Sequence, residues 1–161
     1  MVETQEIERS AEPESELQRI AALLGGQRIL RQRVDEPFDA HEIILKGLPA
    51  KALSHLMGEL VSIEPSTSLE KAIGMSLRTF QRRKAALSKP LSQEQGSRTW
   101  KFAEILARAT AVLGSQEEAE RWLERPAIGL NRQRPIDLLA TSVGAEMVEQ
   151  YLGRLEYDVY T

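Results

Sequence analysis

The chain of 161 residues has no cysteine, which excludes disulfides, thiolate metal sites and a cysteine nucleophile. Histidine is almost as scarce. His41 and His55 are the only two, and they form no H-x-x-x-H or H-E-x-x-H spacing. There is no G-x-S-x-G segment, and Gly25-Gly26 is too short for a phosphate loop and has no lysine at the required offset. The acids Glu117 and Glu118 read as first-turn helix acids. These gaps predict a protein that is not an enzyme, with no catalytic residue, no metal and no cofactor. No apolar run approaches the ~20 residues of a membrane span. The opening MVETQEIERSAEPESE is acidic and has no apolar centre, unlike a signal peptide. Aromatics are only 5% of the chain, and period-two alternation is nearly missing.

Leu, Ala, Glu and Arg are abundant, and all four favour helix. The hydrophobic fraction of 42% and the charged fraction of 28% suit a globular protein of one domain or two small ones. An all-α fold is therefore expected. The net charge of −3 conceals an asymmetry. Residues 67–89 carry Lys71, Arg78, Arg82, Arg83, Lys84 and Lys89 against Glu70 alone. Residues 141–161 carry Glu146, Glu149, Glu156 and Asp158 against Arg154 alone. A local basic patch is the footprint of a groove-binding element, or else a solvated helix face.

Three regions are expected: a flexible or weakly structured segment over 1–40, a helix-turn-helix domain over 41–92, and a small helical domain with a C-terminal tail over 93–161. Residues 1–16 read as a disordered tail, and 17–34 as a short amphipathic helix broken at Gly25-Gly26. Asp35-Glu-Pro-Phe-Asp39 reads as a turn-like break, and Ile43–Leu45 as a strand or a helix end. Pro49 opens a helix with apolar positions at Leu53, Leu56, Met57, Leu60 and Val61. Ser66, Thr67 and Ser68 are candidate caps for the next helix. Gly74-Met75 forms a turn, and Ser76 caps a basic helix running through Leu87. Ser92 and Gln95 resemble a capping box ahead of a long helix that ends at Gly114. Ser115 caps a helix to Leu123, residues 126–134 form a loop, and Pro135 begins a short helix. Gly144 precedes a last helix to about Leu155, with a stripe of Met147, Val148, Tyr151, Leu152 and Leu155.

The short helix, the Gly74 turn and the basic helix form a helix-turn-helix pattern. At 100° per residue, Leu77, Phe80 and Leu87 share the inner face, and Arg78 and Arg82 lie nearly opposite, flanked by Thr79, Gln81 and Ala85. The inner face anchors the helix; the outer face offers guanidinium forks and an amide to base edges or phosphates. Ser76, Arg78, Thr79, Gln81, Arg82 and Arg83 are the candidate DNA-binding residues. Lys84 falls toward the apolar side and must snorkel.

Further on come Ala119-Glu-Arg-Trp-Leu123, Gly129-Leu130, Pro135-Ile-Asp-Leu-Leu139 and Gly144-Ala-Glu-Met-Val148. These segments, with Gly74-Met-Ser-Leu-Arg-Thr-Phe-Gln-Arg-Arg-Lys84 upstream, resemble the Xre/MbcA/ParS antitoxin family over roughly residues 47–155. The resemblance implies a cytoplasmic bacterial antitoxin paired with a toxin of the RES type, which degrades NAD or transfers ADP-ribose from it. Such an antitoxin blocks the toxin's active site. It also represses its own operon through promoter DNA, as a homodimer or in a higher toxin–antitoxin complex. The conspicuous motif residues read as scaffold: Trp122 and Leu123 as core, Asp137 as an orienter of the turn after Pro135, Gly129 and Gly144 as backbone conformations closed to other residues. All three tyrosines, Tyr151, Tyr157 and Tyr160, fall in the last eleven residues among acids. Aromatic anchors beside charge are typical of interface hot spots. Tyr151, Arg154, Leu155, Glu156, Tyr157, Asp158 and Tyr160 are therefore the candidate toxin-binding residues. Two other readings stay open: a stand-alone helix-turn-helix regulator with a helical dimerisation domain, and an interaction protein whose helix-turn-helix binds no DNA.

Overall fold

The computed structural model describes residues 14–86 and 89–159. The expected tail up to residue 13, Leu87 of the basic helix and Tyr160 lie outside the described residues. Ten α-helices follow one another, and no named strand is present among the described residues. α1 (Glu16–Leu23) opens on a reciprocal box between Ser15 and Gln18. α2 (Gly26–Leu30) follows at Gly25, whose φ of 97° needs glycine, so the break falls at the glycine pair. α3 (Pro37–Lys46) corrects two expectations. Residues 35–39 are a helix start, because the Asp39 carboxylate accepts the N–H groups of Asp35 and Glu36 at 2.9 and 3.0 Å, with Pro37 in the first turn. The Ile43–Leu45 run lies within that helix.

α4 (Ala50–Glu59), α5 (Thr67–Ile73) and α6 (Leu77–Arg83) come next. A 3-10 turn over Lys84–Ala86 tightens the end of α6, so its α-helical part is shorter than the spacing predicts. α7 (Gln93–Leu113), α8 (Gln116–Leu123), a 3-10 turn at Ile128–Leu130, α9 (Pro135–Leu138) and α10 (Ser142–Val159) complete the chain. Ser15, Ser66, Ser76, Ser92 and Ser115 each cap a helix through the side-chain oxygen. At Ser92 only half of the expected box forms: Ser92 accepts the Gln95 N–H, but the Gln95 carbonyl oxygen makes no return bond.

α7 is the axis of the fold. Trp100, Phe102, Ala103, Ile105, Leu106, Ala107 and Ala109 are buried on several of its faces, as expected of a helix surrounded by neighbours. It packs against α1, α3, α5, α8 and α10. One continuous core results, running from Ile20 and Leu24 through Leu53, Leu69 and Phe102 to Leu123, Val148 and Leu152. Residues 14–34 belong to it, because Leu30 and Val34 are buried as well.

Candidate functional site

The helix-turn-helix is built by local rules. The Ser66 hydroxyl accepts the Leu69 N–H and starts α5. Gly74 ends α5 at φ 72°, and a Cβ there would meet the Arg98 side chain at 2.6 Å. Met75 is buried in the turn. The Ser76 hydroxyl accepts the Thr79 N–H at 3.1 Å and donates to Thr79 Oγ1 at 2.8 Å, so both side chains are engaged in starting α6. Phe80 is buried and Leu77 half-buried, which turns Arg78, Gln81 and Arg82 outward to solvent; Arg83 is half-buried. Lys84 resolves its awkward position by lying over the Phe80 ring, with Nζ 5.3 Å from the centroid. Among the described residues, Arg78, Arg82 and Arg83 form no ion pair. α6 therefore presents a guanidinium face that no ion pair among the described residues occupies.

Three polar clasps fasten this unit to the C-terminal half, and sequence reasoning finds only part of one. Glu120 on α8 is fully buried. Its carboxylate accepts the N–H groups of Val61, Ser62 and Ile63 at 2.9–3.0 Å, in the loop between α4 and α5. Gln116 donates to the same carboxylate and to the Glu59 carbonyl. Nothing local distinguishes Glu120 from its neighbours Glu117 and Glu118, which pair with Arg121 on the surface. In the second clasp, Arg98 on α7 crosses over Gly74 and donates to the Ala140 carbonyl ahead of α10. In the third, Arg134 and Asp137 meet Ser68 of α5: Ser68 donates to Asp137 Oδ1 at 2.7 Å, and Arg134 Nε donates to Oδ2 at 2.9 Å. The Arg134 guanidinium, helped by Ser68, holds the Asp137 carboxyl below its ordinary value.

In the C-terminal half, Leu123 fills the core and Trp122 stacks on Tyr151, with centroids 6.0 Å apart and planes 8° from parallel. The two motif glycines serve a different need from the expected one. Neither has a positive φ. A Cβ on Gly129 would meet the Tyr151 ring at 2.2 Å, and one on Gly144 would meet the Leu138 carbonyl oxygen at 1.9 Å. Close approach, not backbone angle, excludes a side chain there. Tyr151 is thus packed between Trp122 and Gly129.

α10 begins two residues before Gly144 and continues through residue 159, beyond the expected end near Leu155. The expected apolar stripe is also narrower. Val148 and Leu152 are buried, Tyr151 and Leu155 are half-buried, but Met147 is 42% exposed. Met147 instead joins Val143 (68%), Gln150, Arg154 and Tyr157 (70%) in an outward stripe at spacings of three and four. Glu156 and Asp158 are exposed on the same helix end, and Ile128 in the preceding loop is 88% exposed. Across the helix, Lys101 of α7 donates to Glu104 at 2.9 Å and to Glu149 of α10 at 2.6 Å. Burial and the shared hydrogen bond with Glu149 push the Glu104 carboxyl up. Burial also acts on Glu149, but the hydrogen bonds from Glu104 and Lys101 outweigh it and bring that carboxyl down.

Residues 39–104 match the family described as the antitoxin Xre-like helix-turn-helix domain, and residues 108–157 match the antitoxin Xre/MbcA/ParS C-terminal toxin-binding domain. The chain is 31% identical over 115 residues to an antitoxin Xre of Pseudomonas putida, covering 71% of this chain and 69% of that protein. It is 29% identical over 98 residues to an antitoxin Xre of Yersinia enterocolitica, covering 60% and 66%. Against an antitoxin Xre of Photorhabdus laumondii it is 28% identical over 128 residues, covering 70% and 86%. The Gly74 turn with its outward arginines and the Trp122–Tyr151 scaffold lie within the two matched regions, and the chain belongs to the Xre/MbcA/ParS family of antitoxins.

Proposed function

We propose that the chain neutralises a cognate toxin of the RES type by covering its NAD site with the outward face of α10, and represses its own promoter through α6. In this reading Arg78, Gln81 and Arg82 reach the DNA, with Arg83 toward a phosphate and with Ser76 and Thr79 setting the start of the helix. The toxin-facing residues are Arg154, Glu156, Tyr157 and Asp158, with Leu155 and Tyr151 holding them in place. The observation that carries it is the outward stripe from Val143 to Tyr157, which leaves Val143, Met147 and Tyr157 uncovered beside Gln150 and Arg154 on a helix within the toxin-binding match. Tyr157 supplies an aromatic anchor, and Glu156 and Asp158 suit a pocket lined with cations for NAD phosphates. Binding as a homodimer in the cytoplasm, with the helix-turn-helix domain over 41–92 and the toxin-binding domain over 93–161, completes the proposal.

Co-expression with the adjacent gene tests it, scored for growth and co-purification. The wild-type chain should restore growth and carry the toxin with it. Tyr157→Glu together with Val143→Glu, both on the surface, should abolish rescue while leaving the thermal midpoint unchanged. Full rescue by that variant would remove α10 from the inhibitory surface.

A further inference from the structure

Residues 14–34 lie ahead of both family matches, yet with the α3–α4 junction they enclose a cleft of about 470 Å³. Arg28 of α2 and Arg31 just after it line one side; Lys46 at the end of α3 and Lys51 in the first turn of α4 line the other. No Asp or Glu lines the cleft. Among the described residues none of the four cations forms an ion pair, although the chain as a whole is acidic. Four like charges gathered without a counter-charge among the described residues repel one another, and a bound anion relieves that. Arg31 is also held at φ 62°, where Gly or Asn would fit with less strain.

The chain itself connects the cleft to α6. Pro90 lines it, and Lys89 accepts the Ala50 N–H at 3.2 Å through its carbonyl, at the start of α4. The chain leaving α6 thus reaches the cleft within seven residues of Arg83. Helix-turn-helix proteins hold the duplex backbone with elements flanking the recognition helix. A duplex carries one phosphate charge per ~1.7 Å of axis, so DNA seated on α6 brings phosphates well beyond it.

We propose that this cleft is a phosphate site, taking backbone phosphates of the duplex seated on α6 and giving the N-terminal segment a second hold on DNA. The proposal rests on the DNA-binding reading of α6, and the test separates the two. The full-length variant Arg28→Gln/Lys46→Gln/Lys51→Gln removes three exposed cations and leaves the Arg31 backbone alone. Its thermal midpoint should match the wild type. Promoter-duplex affinity is measured between about 50 and 200 mM salt, beside Arg78→Ala/Arg82→Ala. The cleft variant should bind about tenfold more weakly, with a log–log salt slope shallower by about two, since each phosphate contributes about 0.9. Its preference for promoter over unrelated duplex should persist, because phosphates carry no sequence information. The α6 variant should lose that preference. Wild-type affinity and slope in the cleft variant, with a weakened α6 variant, overturns the cleft and leaves α6 standing. The reverse pattern overturns the α6 reading and, with it, the cleft as a second hold on a duplex seated there. Titration with inorganic pyrophosphate identifies the other source: binding lost in the cleft variant while DNA affinity is unchanged assigns a free phosphate ligand and overturns the DNA hold. No duplex binding by the wild type at low salt overturns both.

Discussion

Glu120 shows how much a single side chain decides in this fold. Its fully buried carboxylate satisfies three backbone N–H groups in the loop that leads into the helix-turn-helix. Glu120→Ala leaves those donors unpaired and should cost about 3 kcal/mol or more, because orphaned buried groups each cost about 1–3 kcal/mol. Glu120→Gln keeps one acceptor oxygen and should cost clearly less; urea unfolding of both variants checks the order. The two close-packed glycines make a second contrast. Gly144→Ala drives a methyl into the Leu138 carbonyl, which is backbone and cannot swing aside. Gly129→Ala drives one into the Tyr151 ring, which can rotate out. We expect Gly144→Ala to destabilise by about 3 kcal/mol, at the upper end for overpacking. Gly129→Ala should cost less but alter the near-UV circular dichroism of the Trp122–Tyr151 stack. Sequence marks both glycines as special and cannot say why, because the atoms that crowd them come from other segments.

At the level of elements, local chemistry makes most boundaries legible. Serine caps at Ser66, Ser76 and Ser115, and glycine stops at Gly74 and Gly114, fall where sequence rules put them, because caps are made within a few residues. The failures have local causes too. Glu36-Pro-Phe-Asp39 contains helix-start and turn signals at once, and the Asp39 bonds decide for helix. Met147 fits an apolar stripe by spacing, but the arc of α10 that packs inward holds Val148 and Leu152 and leaves Met147 42% exposed. That helix is joined to α7 by Lys101, Glu104 and Glu149, which predicts a pH effect. A carboxyl raised in the folded state contributes stability below its unfolded value of about 4.3 that is lost as pH rises through the folded value. Gln cannot ionise, so Glu104→Gln should gain on the wild type as pH goes from 4 to 7. Thermal midpoints across that range check this; a constant difference would mean Glu104 has no raised value. Partial solvent screening of this half-buried cluster keeps the effect modest.

Over the whole molecule, α7 belongs to both halves, and the Glu120, Arg98 and Asp137 clasps close the seam around it. We therefore expect one cooperative transition, with Trp fluorescence and far-UV circular dichroism coinciding along a urea series. Two separated transitions would show that the halves fold independently. A fragment ending at residue 92 loses α7, on which α1, α3 and α5 pack, and should be unfolded. The sequence by itself determined an all-helical chain, the helix-turn-helix with its outward arginines, and membership in an antitoxin family. Those rest on periodicity, capping and motifs, which are short-range and are written in consecutive residues. Only the tertiary structure decided that Glu120 is a buried clasp, that Tyr151 is scaffold rather than free surface, that Val143 and Met147 face outward, and that Arg28, Arg31, Lys46 and Lys51 share a cleft. Each of those depends on residues far apart in the chain, and packing around α7 is what brings them together.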